Sequence, residues 1–271
     1  MAPGISLPRL KSHIETLATY GRNPDGRGIT RSCWSPAHEE ARAWLVGKMK
    51  EGRLESRIHP PGNTFRVLPG EGAAVLTGSH TDTVPEGGPL DGALGVLAGL
   101  ECLQTIREAR LPVRRPLAVV AWSDEEGRYG SLFGSRAFTG KLDPNAIPTL
   151  RALDGESLVE AMARAGYEAA RAPHARCDPR AVHAYIELHI EQGPHLEAAR
   201  LPIGLVEGIV GIRRNRLTFV GEPDHAGTTP MAWRKDAFLA GCEYALTARE
   251  HIVEKGSGRS GGSLGLIGVA P

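Results

Sequence analysis

Between residues 6 and 20, and again between 36 and 51, apolar positions recur every three to four residues, the spacing of a helix with one buried face. In the second segment Ser35 suits the N-cap, Pro36 the first helical position and Glu39 a capping box, with Ala41, Trp44, Leu45 and Met49 as the apolar stripe. The pattern then shortens. "GNTFRVLPG" (62–70) reads as a strand between turn glycines, and "AAVLTGSH" (73–80) as a buried strand entering a loop. "GALGVLAGLECLQTIREAR" (92–110) restores the helical period. "RRPLAVVAWSDEEG" (114–127) and "AVHAYIELHIEQG" (181–193) are again strands that run into polar residues.

Strands alternating with helices predict an α/β domain whose central sheet is mostly parallel and covered by helices. Ligands of such sheets sit beyond the C-terminal strand ends. Three strand ends deliver His80 and Asp82, then Glu125 and Glu126, then His189, Glu191 and Gln192. Past Ile212 the character changes. "NRLTFVG" (215–221) alternates as an antiparallel strand does, "DHAGTTPM" (224–231) is turn-rich, residues 232–254 are amphipathic, and "GSLGLIGVAP" (262–271) reads as a strand. We expect a metal-binding catalytic domain over 1–211 and part of a small α+β domain over 212–271, with the boundary near Val210–Arg213.

Composition narrows the chemistry. Of 271 residues 41% are hydrophobic, enough for a sizeable core, and 32 basic residues balance 31 acidic ones. That balance argues against nucleic acid and anionic membranes as partners. The N-terminal segment does not read as a signal peptide, and no stretch reaches the length of a membrane span. Cys33, Cys102, Cys177 and Cys242 are dispersed, with no C-x-x-C pair, which fits reduced, buried thiols and a cytoplasmic protein. "GSGRSG" (256–261) follows a helix and precedes a strand, the reverse of a dinucleotide-binding context, and no nucleophile elbow is present.

His80, Asp91, Glu126 and His189 supply nitrogen and oxygen donors without a thiolate, a set suited to Zn²⁺, Mn²⁺ or Co²⁺. A carboxylate such as Asp91 can bridge two ions about 3.5–4 Å apart. Asp82 is placed to accept from the far nitrogen of His80 and so set its tautomer. Glu125 and Glu126 point to opposite sides if the strand continues, so one can bind metal while the other moves protons. Spacing alone allows either order. We assign Glu126 to the metal and Glu125 to the base.

Together, "GSHTDTVPEGGPLDGALGVLAGLE" (78–101), "SDEEG", "LFGSRAFTG" (132–140), "HIEQGPHLE" (189–197) and "GIVGIRRNRLTFVGEPDHAGTTPM" (208–231) resemble the hydantoinase/carbamoylase amidases of the M20 metallopeptidase clan, over essentially the whole chain. That group includes N-carbamoyl-L-amino acid hydrolases, β-ureidopropionases and allantoate amidohydrolases. The resemblance implies a zinc-peptidase-like catalytic domain and a ferredoxin-like dimerisation and lid domain. It implies two divalent ions, Zn²⁺ or Mn²⁺ with Co²⁺ or Ni²⁺ accepted. His80, Asp91 and His189 would hold one ion, and Asp91 with Glu126 the other. Glu125 would be the general base, Gln192 a substrate contact, and His225 the group that polarises the scissile carbonyl, across a homodimer interface formed by the smaller domain. The expected reaction is hydrolysis of a carbamoyl or ureido C–N bond, with an aminoacylase or peptidase of the same clan as the alternative.

The resemblance also marks two departures. Family members are considerably longer, and the part with no counterpart here is expected to complete the lid and supply a last histidine ligand, with an Asn and an Arg for the substrate carboxylate. His251 reads as a surface residue rather than a substitute. The chain alone is therefore expected to be inactive, with an inactive fragment lacking the last metal ligand as a further alternative. In addition, "EEGRYG" is one residue shorter than the pattern between the glutamates and the aromatic, so Arg128 receives no role.

Overall fold

The computed structural model describes residues 4–51 and 55–269, which divide into two compact units, 1–202 and 203–271. The first opens with α1 (Leu7–Leu17), whose N-cap Ser6 accepts from the Arg9 amide, and α2 (Pro36–Glu51). Ser35 Oγ accepts from the His38 amide at 3.3 Å, as an N-cap does, but Glu39 does not close a capping box. Its carboxylate is taken by the Arg42 guanidinium one turn on. β1 (Glu55–Ile58), β2 (Thr64–Leu68) and β3 (Ala74–His80) follow, then α3 (Ala93–Glu108), β4 (Leu117–Trp122), α4 (Phe133–Phe138), α5 (Leu158–Arg164), β5 (Val182–Ile186) and the short α6 (His195–Ala199).

The five strands form one sheet in the order β1-β2-β4-β3-β5. β3 pairs in parallel with both β4 and β5, whereas β1–β2 and β2–β4 are antiparallel. The sheet is mixed, not mostly parallel. The difference comes from β2, which runs antiparallel to β4, and from β1, whose "ESRI" is too short and polar to read as a strand and pairs antiparallel with β2. Leu97 and Leu100 of α3, Leu45 and Met49 of α2, and Leu10 and Leu17 of α1 close one face over Val119 and Ala121. A half-buried ion pair binds α1 to α3, with Arg9 Nε 2.7 Å from the buried Glu101 carboxylate. The opposite face carries Phe65, Val120 and Trp122 against Phe138 of α4. Beside them opens an apolar cleft of about 500 Å³ lined by Leu76, Trp122, Phe138, Val182 and Tyr185, with Glu125 and Glu187 also on its wall.

The second unit holds α7 (Ala237–Lys255), capped by Asp236, whose carboxylate accepts from the Phe238 and Leu239 amides. The segments 215–221 and 262–269 form no strand ladder among the described residues, and Leu217, Val220, Leu264 and Leu266 are exposed. Alternation confers strand propensity, but a strand also needs a hydrogen-bonded neighbour. Ala270 and Pro271, the end of the expected last strand, lie outside the described residues. Of the four cysteines expected to be buried, only Cys33 is; Cys102 is exposed and the other two are half-buried. No helix among the described residues is long and apolar enough to cross a membrane.

Behind the Glu125–Glu126 loop, Glu156 accepts from Tyr129 Oη (2.5 Å), Arg164 Nη1 (2.6 Å) and Arg128 Nη2 (3.1 Å). The Tyr129 hydroxyl foremost, with the two guanidinium groups, holds this carboxyl down at about 2, against an ordinary 4.5. Because the folded value is the lower one, the stabilisation is present above pH 4.5 and is lost as pH falls through 2. Glu156→Gln should therefore cost about 1 kcal/mol at neutral pH, modest because the site is partly wet, and the gap to the parent should close in acid. Urea unfolding across that range checks it. Leu97→Ala, in the closed core, should cost about 2–5 kcal/mol by the same measurement.

Candidate metal centre

β3 ends on His80, which is opposite Trp122 of β4. The two strands run so close that a Cβ on Gly78 would lie 1.9 Å from the Val120 carbonyl oxygen. The imidazole of His80 is 2% exposed. Its Nδ1 is 2.9 Å from the Asp82 carbonyl oxygen, an acceptor, so Nδ1 carries the proton and Nε2 is left with its lone pair. His189, beyond β5, repeats the device with Nδ1 2.8 Å from the Ile190 carbonyl. Both Nε2 atoms face Asp91 Oδ1, at 4.0 Å from His80 and 3.3 Å from His189.

Asp91 stands in the turn before α3, brought onto the ring of His80 by Gly92. Gly92 has φ +61°, and a Cβ there would lie 2.4 Å from the imidazole. Asp91 Oδ2 accepts from Gln192 Nε2 at 2.8 Å, whereas Oδ1 is buried with no hydrogen-bond partner among the described residues. A carboxylate oxygen withdrawn from water without a donor is costly. One coordinating atom from each of His80, Asp91 and His189 falls within 4.8 Å of the other two. Metal bonds of about 2.1 Å at tetrahedral angles place ligand atoms about 3.4 Å apart, so this N₂O set fits a divalent ion after small adjustments.

The expected carboxylates divide around this trio. Glu125 Oε2 is 3.5 Å from His80 Nε2. Burial, opposed by His80, raises its carboxyl above the usual range. Glu126 lies outside the compact trio; burial foremost, then the charges of Asp91 and Asp82, lift it to about 7 against the pull of His80. For His80, burial acts downward, but the charges of Asp82 and Glu125 together outweigh it and the net shift is upward. Asp82 does fix the His80 tautomer, though through its main-chain carbonyl. Its carboxylate Oδ1 is 3.8 Å from Nδ1 and has no hydrogen-bond partner, while Oδ2 accepts from the Glu126 amide at 3.2 Å.

Gln192, exposed and at φ +54°, here orients Asp91. His225 belongs to the second unit and is exposed; its Nδ1 accepts from the Gly227 and Thr228 amides, so its neutral form carries the proton on Nε2. Arg128 is engaged with Asp154 and Glu156.

Sequence reasoning missed Asp124. It is fully buried at φ +51°, and its carboxylate accepts from the amides of Arg128, Tyr129 and Gly130, folding the chain back just after the two glutamates. Burial, aided by the charge of Asp82, raises it to about 7 against those three amides. An aspartate shortly before a glycine is the turn signal that would have found it.

If Asp91 and His80 act as one cradle, a methyl group at Gly92 must displace the imidazole. Gly92→Ala should weaken Zn²⁺ binding by at least 10-fold, a loss of the size seen when ligand orientation fails. Chelator competition checks it.

Comparison with known proteins gives the family. Residues 76–263 match the profile of peptidase family M20/M25/M40. The chain is 39% identical over 266 residues to an N-carbamoyl-L-amino acid amidohydrolase of Geobacillus stearothermophilus, covering 96% of this chain and 63% of that protein. It is 38% identical over 237 residues to allantoate amidohydrolase of Escherichia coli (strain K12), covering 85% and 57%. Among solved structures it resembles an amidase of the hydantoinase/carbamoylase family from Burkholderia phymatum, with a TM-score of 0.73 and 36% identity over 93% of this chain and 62% of that one. The chain thus spans about three fifths of the length of these relatives. The matched region runs from β3 through α7 and takes in all the loops described above. The chain belongs to peptidase family M20/M25/M40, in which dependence on a divalent metal is typical.

Proposed function

We propose that the protein to which this chain belongs is a metal-dependent amidohydrolase that cleaves the carbamoyl or ureido C–N bond of a small substrate, an N-carbamoyl-L-amino acid or allantoate. The observation that carries this reading is the unpaired Asp91 Oδ1 facing two imidazole Nε2 atoms, with the Glu125 carboxylate 3.5 Å from one of them. The relatives named for these two activities support the substrate class.

In this reading His80, Asp91 and His189, with Glu126, hold the divalent ions, two of them, Zn²⁺ or Mn²⁺ by the nature of the donors. Bound there, such ions supply Lewis acidity and bring a water within reach of deprotonation near neutral pH. The protein's own groups do the rest. Glu125, its carboxyl raised by burial, takes a proton from the attacking water and gives it to the leaving nitrogen. His225, protonated on Nε2 when neutral, is a donor for the oxygen of the scissile carbonyl. Gln192 exchanges its bond to Asp91 for one to the substrate. Water and an N-carbamoyl amino acid then yield the free amino acid, CO₂ and ammonia. Residues 1–211 are the catalytic part and 212–271 part of a lid through which two copies pair.

Ammonia release from N-carbamoyl-L-amino acids and from allantoate, with and without Mn²⁺, tests the proposal on the full natural protein. Metal-dependent release from one class is expected, and release from neither overturns it. EDTA should abolish turnover and Mn²⁺ restore it. Glu125→Gln should lower kcat by about 10²–10⁴-fold while Zn²⁺ still binds.

A further inference from the structure

Arg31, on the connection between α1 and α2, is 1% exposed and takes no part in the chemistry above. Burying a guanidinium without a paired carboxylate is costly, so its partners carry information. Among the described residues all its hydrogen-bond acceptors are backbone oxygens, and the Asp82 carboxylate acts on it through charge alone. Nε donates to the Thr81 carbonyl at 2.7 Å, and Nη1 to the carbonyls of Leu17 (2.8 Å) and Tyr20 (2.9 Å) where α1 ends. The Arg31 main chain grips the same stretch: its amide donates to Thr83 Oγ1 at 2.9 Å, and its carbonyl accepts from the Thr83 amide at 3.0 Å.

Two of these bonds fall on two successive peptide planes. The plane joining Thr81 to Asp82 is held through its carbonyl by the guanidinium. The plane joining Asp82 to Thr83 is held through its N–H by the Arg31 carbonyl, and the carbonyl on the other edge of that plane is the acceptor for His80 Nδ1. A shift in either plane moves the group that keeps the proton on Nδ1 and the lone pair on Nε2. Burial lowers the guanidinium only to about 10, so it remains charged at neutral pH.

We infer that Arg31 is a positioning residue for the metal centre: its buried guanidinium fixes the Thr81–Asp82 peptide, next to the one its own main chain holds, and thereby keeps His80 in the tautomer whose Nε2 can coordinate. The inference rests on the proposed metal site. It is tested on the full chain with Arg31→Met and Arg31→Lys, and with Met162→Ala, a buried change in another cluster, as the variant that lowers stability without touching this turn.

Two readouts apply. The first is the ¹⁵N chemical shifts of the His80 ring in metal-free protein, read at a pH high enough that the ring is neutral and assigned by their loss in His80→Asn. The second is Zn²⁺ affinity by chelator competition. Arg31→Met should mix the His80 tautomers and weaken Zn²⁺ about 10–100-fold, the usual effect of losing a group that supports a ligand. Arg31→Lys keeps the charge but cannot span three carbonyls, and should fall between Met and the parent. Met162→Ala should leave both readouts as in the parent.

Parent-like tautomer and affinity in Arg31→Met, or an equal loss in Met162→Ala, overturns the inference. If Arg31→Met does not fold, a parent-like Arg31→Lys overturns it. If the parent itself binds no Zn²⁺, the amidohydrolase reading falls, and the tautomer readout still decides the role of Arg31.

Discussion

The parallel register of β3 with β4 and β5 is the constraint from which the site follows. It sends three chain reversals off the same edge of the sheet, so groups far apart in sequence arrive together. The register depends on close backbone contact, and Gly78 against Val120 leaves no room for a side chain. Given that register, two short connections finish the cradle: the turn at Gly92 lays Asp91 over the ring of His80, and the segment after β5 swings His189 to the same oxygen.

The electrostatics are those of a site with an excess of negative charge. Asp82, Asp91, Glu125 and Glu126 gather with two imidazoles, and two carboxylate oxygens are buried without donors. Such crowding raises the glutamates and His80 together, each kind of group favouring the protonated form that eases the excess of negative charge. A protein gathers carboxylates in this way when something cationic is to be held between them.

How much of this was legible in the sequence depended on whether the information lay in side chains or in the backbone. His80, Asp91 and His189 stand at strand ends and helix starts, and their residue types declare a donor set. The core helices announced themselves by period, as Ala41, Leu45 and Met49 show. What stayed hidden acts through peptide groups. The Asp82 carbonyl outdoes its own carboxylate, Asp124 gathers three amides, and Arg31 spends its charge on carbonyl oxygens. The pattern at 215–221 likewise told of propensity and nothing of a partner. Cys102 shows the limit of composition, since a dispersed thiol was expected inside and lies outside.

The placement of the cradle on β5 also orders events in time. His80 and Asp91 flank a local strand–turn–helix unit that can form early, whereas His189 reaches them only after the long chain between β4 and β5 has been laid down and β5 has docked. Closing that distant contact costs more loop entropy than closing the local turn, which favours the local unit first. An ion gripped by all three residues would therefore act on the finished molecule rather than on its nucleus. It would lengthen the native lifetime by slowing unfolding and leave the rate of collapse almost untouched.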